Sequence, residues 1–97
     1  MFAWDPAKAA LNRRKHGVSF DVARLVFFDP DVLIDQDTIE GGEYRWRAIG
    51  KAGGQVLLFV AHITWLEDDG VEVVRIISAR LADKAERRLY EQHIGQG

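Results

Sequence analysis

The 97-residue chain has no cysteine, only two prolines and one methionine. A disulfide framework and a thiolate metal site are thereby excluded. No apolar run approaches the length needed to span a bilayer. The opening residues, Met1-Phe2-Ala3-Trp4-Asp5-Pro6, lack the apolar stretch of a signal peptide. A cytoplasmic location without membrane contact is the default expectation. Positive charge is not in excess either: 13 Lys and Arg face 15 Asp and Glu, a formal net charge of -2. Non-specific coating of nucleic acid needs a net positive surface, so that class is disfavoured. A small cationic pocket inside an acidic shell is still compatible with this balance. Also missing are a Walker loop, a paired-glycine dinucleotide turn, a His-Glu-x-x-His helix and metal ligands at helical or hairpin spacing. Asp29, Asp31, Asp35 and Asp37 read as an acidic loop and strand, not a metal cage. No cofactor and no metal are expected.

What is present suits one globular domain, with 47% hydrophobic and 29% charged residues. Phe2 to Trp4 reads as a short edge strand. Asp5-Pro6 starts a helix, with Asp5 as N-cap and Pro6 in the first position. That helix ends at Lys15-His16-Gly17, where cations and a glycine suit a helix C-terminus. Ser19 caps a second helix, Phe20 to Phe28, which Asp29-Pro30 stops. From Val32 the apolar period changes from helical to two. Strands are expected over Val32–Asp37, Tyr44–Lys51, Val56–Trp65 and Val71–Ala79, with turns at Glu40-Gly41-Gly42, Ala52-Gly53-Gly54 and Glu67-Asp68-Asp69-Gly70. A last helix starts near Asp83, where Asp83 and Glu86 have capping-box spacing. The order (β)ααββββα predicts an α+β fold with an antiparallel sheet and helices packed on one face.

The stretch Val71 to Arg80 holds five Val or Ile residues, apolar on both parities, as a central strand would be. Two arginines interrupt it. Burying an arginine is costly without a partner, so each is either paired with an acid or placed to meet an anion. Arg80 stands at the strand end, just before a helix N-terminus that itself favours anions. Arg45 and Arg47 share one face of their strand, opposite Tyr44, Trp46 and Ala48. Simple turn geometry sets His62 near Arg75 and near Arg45, which would gather cations on one sheet face. A one-residue slip would undo that grouping. Each group also has a plainer reading. His62 is either a satisfied core histidine or a general acid or base. Lys15 and His16 either complement a helix dipole or serve a site. Glu43 is most simply an ion-pair partner of Arg45, and Trp4, Trp46 and Trp65 are packing residues.

Read together, Trp4-Asp5-Pro6, Asn12 with Lys15-His16-Gly17-Val18 and Phe20, Asp29-Pro30, Glu43 with Arg45 and Gly50, and Arg75-Ile76-Ile77-Ser78-Ala79-Arg80 with Glu86-Arg87 and Tyr90 resemble the BrnT family. These are toxins of type II toxin–antitoxin pairs. The resemblance spans Phe2 to Glu91 and implies a RelE-like fold. It further implies a ribonuclease that cleaves RNA without a metal, by attack of a ribose 2′-hydroxyl on the adjacent phosphate, and so halts translation. It implies a BrnA-like antitoxin of the ribbon–helix–helix class that blocks the toxin and carries it to operator DNA. The site residues it suggests are Lys15, His16, Arg45 and Arg80 for catalysis. Arg47, His62, Arg75, Glu86 and Tyr90 are the suggested substrate contacts. The alternative from another class is a non-catalytic module that docks an acidic protein segment on its arginine face.

Overall fold

Asp5 accepts a hydrogen bond from the Ala7 N–H at 2.8 Å and starts helix α1, Pro6–His16. Gly17 ends it in the left-handed conformation, φ 73°, where a Cβ would be strained, and its N–H closes on the Arg13 carbonyl. The computed structural model describes residues 1–96. Before α1 lies β1, Phe2–Ala3; after it come α2, Phe20–Ala23, and a 3₁₀ turn, Arg24–Phe28. Ser19 caps α2 as expected, but the helix tightens after Ala23 instead of running on to Phe28. Val26, Phe27 and Phe28 favour a helix interior poorly, and Asp29 before Pro30 is biased away from helical angles. Strands β2 (Leu33–Glu40), β3 (Glu43–Ala52), β4 (Val56–Leu66) and β5 (Glu72–Leu81) follow, then α3 from Lys84 to Gln96. Arg80 therefore lies inside β5, paired with Phe59, and not beyond the strand end.

The sheet runs β1-β5-β4-β3-β2. Three of its pairings are antiparallel, but β1 pairs parallel with β5. The sheet is thus mixed, which corrects the wholly antiparallel expectation. Two residues of strand carry no period that could announce their direction. The expectation of helices on one face is also corrected. α2 and the 3₁₀ turn bury Phe20, Ala23 and Val26 against Ala48, Ala52, Leu58, Val60, Ile76 and Ala79. α3 covers the opposite face, where Tyr90 packs with Ile49 and Leu57. Adjacent residues such as Ala48 and Ile49 belong to opposite faces, so each face needs its own cover. The close approach of the 3₁₀ turn to β3 depends on Gly50, where an added Cβ would come within 3.0 Å of Val26 Cγ1.

α1 lies along the edge of β5 that the short β1 leaves open. Asn12 fills that edge: its amide donates to the carbonyls of Ala79 (2.9 Å) and Val18 (3.0 Å) and accepts from the Ala79 N–H (3.1 Å). Within the sheet, the β4–β5 register shifts between Ala61 and His62. Ile63 faces Arg75 and Phe59 faces Arg80, so four steps on β4 match five on β5. This bulge turns Arg75 and Arg80, which a regular strand would send to opposite faces, onto the same face. Among the described residues no helix is long and apolar enough to cross a membrane.

Candidate active site

Arg45 and Arg47 alternate with Trp46 and Ala48 along β3 and point to the α3 side of the sheet. The bulge brings Arg75 and Arg80 of β5 to that same side. Two open clefts lie there between the sheet and α1. The smaller, about 90 Å³, is lined by Lys8, Glu43, Arg45, Ile63, Arg75 and Ile77. The larger, about 290 Å³, adds Leu11, Lys15, His16 and Ser78 to Lys8, Arg45 and Ile77. Because Lys8, Arg45 and Ile77 line both, the two are arms of one cationic cleft with Arg45 at the junction.

Arg45 is held loosely. One terminal nitrogen stands 3.3 Å from Glu40, which is more than half exposed. The expected partner was Glu43; a neighbour on the facing strand β2 takes its place. The Arg45 Nε is buried with no hydrogen-bond acceptor. Arg75, half-buried in mid-strand, makes no ion pair with any described residue.

The other two arginines are fully engaged. Arg47 forks onto Asp35, Nε to Oδ1 at 2.5 Å and Nη2 to Oδ2 at 3.1 Å. Arg80 sends both terminal nitrogens to Glu86 at 2.8 Å, bonds the Leu81 carbonyl and lies 4.3 Å above the Phe59 ring. These carboxylates hold both guanidinium pKa values above the ordinary range. Glu86 is buried at 7% exposure and also accepts from the Asp83 N–H, while Asp83 accepts from the Glu86 N–H. The capping box read from Asp83 and Glu86 is therefore formed, and Arg80 ties it to the sheet. A phosphate at Arg80 would have to displace Glu86.

The structure sets the remaining candidates elsewhere. His62 lies on the opposite face, 1% exposed, edge-on to Phe27 with ring centres 4.8 Å apart. It faces Ile76 across β5 and Trp46 across β3, so the expected grouping with Arg45 and Arg75 fails by one residue on each side. Burial pushes its pKa below the ordinary value; the Val60 carbonyl and Glu72 oppose that weakly. Tyr90 donates to Asp29 at 2.6 Å, beneath α3 and away from the cleft. Burial and that bond raise its hydroxyl pKa well above the ordinary range. Burial would push the Asp29 carboxyl up, but bonds from the Lys51 N–H, the Tyr90 hydroxyl and the Asp31 N–H hold it below the ordinary value.

The cleft thus gathers Lys15, His16, Arg45 and Arg75 of the expected residues, and leaves out Arg47, Arg80, Glu86, His62 and Tyr90. It adds Lys8, which sequence reasoning passed over. The signal was available: Lys8, Leu11, Asn12 and Lys15 fall at helical spacing on one stripe of α1. Among the described residues no group of three or more His, Asp or Glu side chains sits together as a metal site would require.

The model of the family described as "Ribonuclease toxin, BrnT, of type II toxin-antitoxin system" matches residues 4–86. No curated protein matches the chain in sequence. A solved structure that the fold resembles is the crystal structure of the Brucella abortus ribonuclease toxin, BrnT. The TM-score is 0.65 and the identity 24%, over 87% of this chain and 99% of that one. The family match takes in the cleft, from Lys8 on α1 to Arg75 on β5, and on it the chain belongs to the BrnT family of ribonuclease toxins of type II toxin–antitoxin systems.

Proposed function

We propose that this toxin cleaves RNA in the cleft between α1 and the sheet, without a metal, by attack of a ribose 2′-hydroxyl on the adjacent phosphate. The observation that carries this is the buried, acceptor-free Nε of Arg45 where the two arms meet. An unsatisfied buried donor costs about 1–3 kcal/mol. Once the Arg45 side chain swings off the exposed Glu40, a phosphate oxygen can meet this donor and the terminal nitrogens, and charge-assisted bonds to phosphate are stronger than neutral ones. Arg75 has no acid to displace, and Lys8 and Lys15 extend positive charge along both arms. In this reading Arg45 and Arg75 hold the phosphate and stabilise its developing charge. Lys8 and Lys15 track the flanking backbone, and His16 is the proton-transfer group of the larger arm. Arg47 and Arg80, with Asp35 and Glu86, form the rigid floor that aims them.

The mixed α+β sheet supports the RelE-like fold implied by the family resemblance. The wider biology is part of the same proposal. Cleavage halts translation in the cytoplasm, and the antitoxin partner of this family is here a ribbon–helix–helix protein that covers the cleft. Contact with operator DNA then runs only through that antitoxin. Purified toxin incubated with RNA in EDTA tests the core of it. Cleavage by the wild type, lost by about a hundred- to a thousand-fold in Arg45→Ala, is the expected result. Binding without cleavage would favour a non-catalytic module, and full activity of Arg45→Ala would remove the cleft from the reaction.

A further inference from the structure

Glu43 begins β3 and lines the smaller arm beside Lys8, Arg45 and Arg75. Three cations line the same arm, yet the exposed Glu43 carboxylate forms no ion pair with any described residue, and Arg45 turns to Glu40 instead. In a cleft built only to bind anions, a free carboxylate is a defect, because it repels the phosphate the cations attract. RNA also carries a hydrogen-bond donor next to each phosphate, the ribose 2′-hydroxyl. An ionised carboxylate only accepts hydrogen bonds, so it fits that hydroxyl and not the phosphate.

We propose that Glu43 is the group that takes the proton from the 2′-hydroxyl. The assignment rests on the ribonuclease reading of the cleft and deepens it. The 2′ oxygen forms a bond to phosphorus as its proton passes to the Glu43 carboxylate. The bond from phosphorus to the 5′ oxygen breaks, and that oxygen leaves with a proton from the larger arm, where His16 stands, or from water. The products are a 2′,3′-cyclic phosphate and a free 5′-hydroxyl, so no oxidant, reductant or co-reactant is needed. Arg45 and Arg75 hold the phosphate throughout.

The test compares wild type, Glu43→Gln, Glu43→Ala and Arg45→Ala. One arm measures binding of an RNA with a single 2′-deoxy nucleotide at the cleavage position, which cannot react. The other measures single-turnover cleavage across pH. Glu43→Gln is expected to bind as tightly as wild type or more tightly, because a repulsive charge is gone. Its cleavage should fall by about a hundred- to ten-thousand-fold, and the limb of the pH profile that reports the base should disappear. Cleavage by Glu43→Gln at the wild-type rate overturns the assignment. So does a loss of binding that matches the loss of cleavage. If Arg45→Ala is inactive while Glu43→Gln is not, only the role of Glu43 falls. If the wild type leaves RNA intact, the reading of the cleft falls and takes this assignment with it.

Discussion

The side-chain amide of Asn12 bonds both the N–H and the carbonyl of Ala79, as a neighbouring strand would. Its second amide hydrogen reaches the Val18 carbonyl, so all three of its contacts are to backbone. Asn12 is buried at 6% exposure, and removing it leaves three backbone groups without partners. Each such orphan costs about 1–3 kcal/mol, less where water can enter. Asn12→Leu should therefore destabilise the fold by about 2–5 kcal/mol. Asn12→Asp should be no better, because a carboxylate would face the Ala79 carbonyl. Chemical denaturation measures both. A variant as stable as wild type would mean that α1 is held by its apolar contacts alone.

The Arg80–Glu86 pair leads to the opposite expectation from an arginine poised for phosphate. Arg80→Ala leaves a buried carboxylate unpaired and loosens the start of α3. Breaking a buried pair costs about 3–5 kcal/mol. The Arg80 side chain is 37% exposed, so about 1–3 kcal/mol is expected here. Adding Glu86→Gln to Arg80→Ala should recover part of the loss, since no charge is then stranded. Paired melting and cleavage assays decide the matter. Activity of Arg80→Ala should fall with stability and return under conditions that restore the fold. A variant that melts like wild type but does not cleave RNA would instead move Arg80 into the site.

Element order and a grouping of cations on one sheet face were legible in the chain. The switch from helical to two-residue period at Val32, the Asp5-Pro6 start and the Gly17 stop all carry local signals. Placement of side chains in space was less so. Arg75 and Arg80 share a face only because of the bulge between Ala61 and His62, and no residue in β4 or β5 announces it. The direction of β1 rests on two residues. The second apolar layer was readable in principle, since Ile49, Leu57 and Phe59 share the face that α3 covers. Much of the recognisable pattern has structural work in this fold: Asn12 seals an edge, Gly17 ends a helix, Gly50 admits Val26, and Tyr90 anchors Asp29. That Lys8 and Glu43 line one cleft becomes visible only once α1 and β3 are set side by side.

His62 supplies a stability switch in mild acid. Its folded pKa is depressed, so its contribution is fully present above the ordinary value of 6.5 and is lost as pH falls through the folded pKa. Protonation would place a charge against Phe27 in the core. His62→Phe keeps an aromatic ring there and removes the titration. Stability measured from pH 8 to pH 5 should decline in wild type and decline less in His62→Phe. RNA cleavage by folded His62→Phe should match wild type, since the ring lies across the sheet from the cleft. Loss of cleavage in a variant that stays folded would return His62 to the list of site residues.

Lys8 and Lys15 are one helical stripe of exposed cations over the two arms of the cleft. Neither bonds an acid among the described residues, so their removal should leave the melting temperature unchanged. If each meets one phosphate, each adds a released counterion to binding. The slope of log affinity against log salt should then become shallower by about 0.7 for each lysine removed, the value for single strands. Lys8→Ala and Lys15→Ala should weaken binding at low salt for every RNA sequence alike, because a phosphate contact carries no base information. Lys84→Ala, a lysine lost from the start of α3 and outside both arms, serves as control and should leave the slope unchanged. Titrations at four or more salt concentrations separate the cases. A slope unaltered by either cleft substitution would mean that RNA does not run along α1.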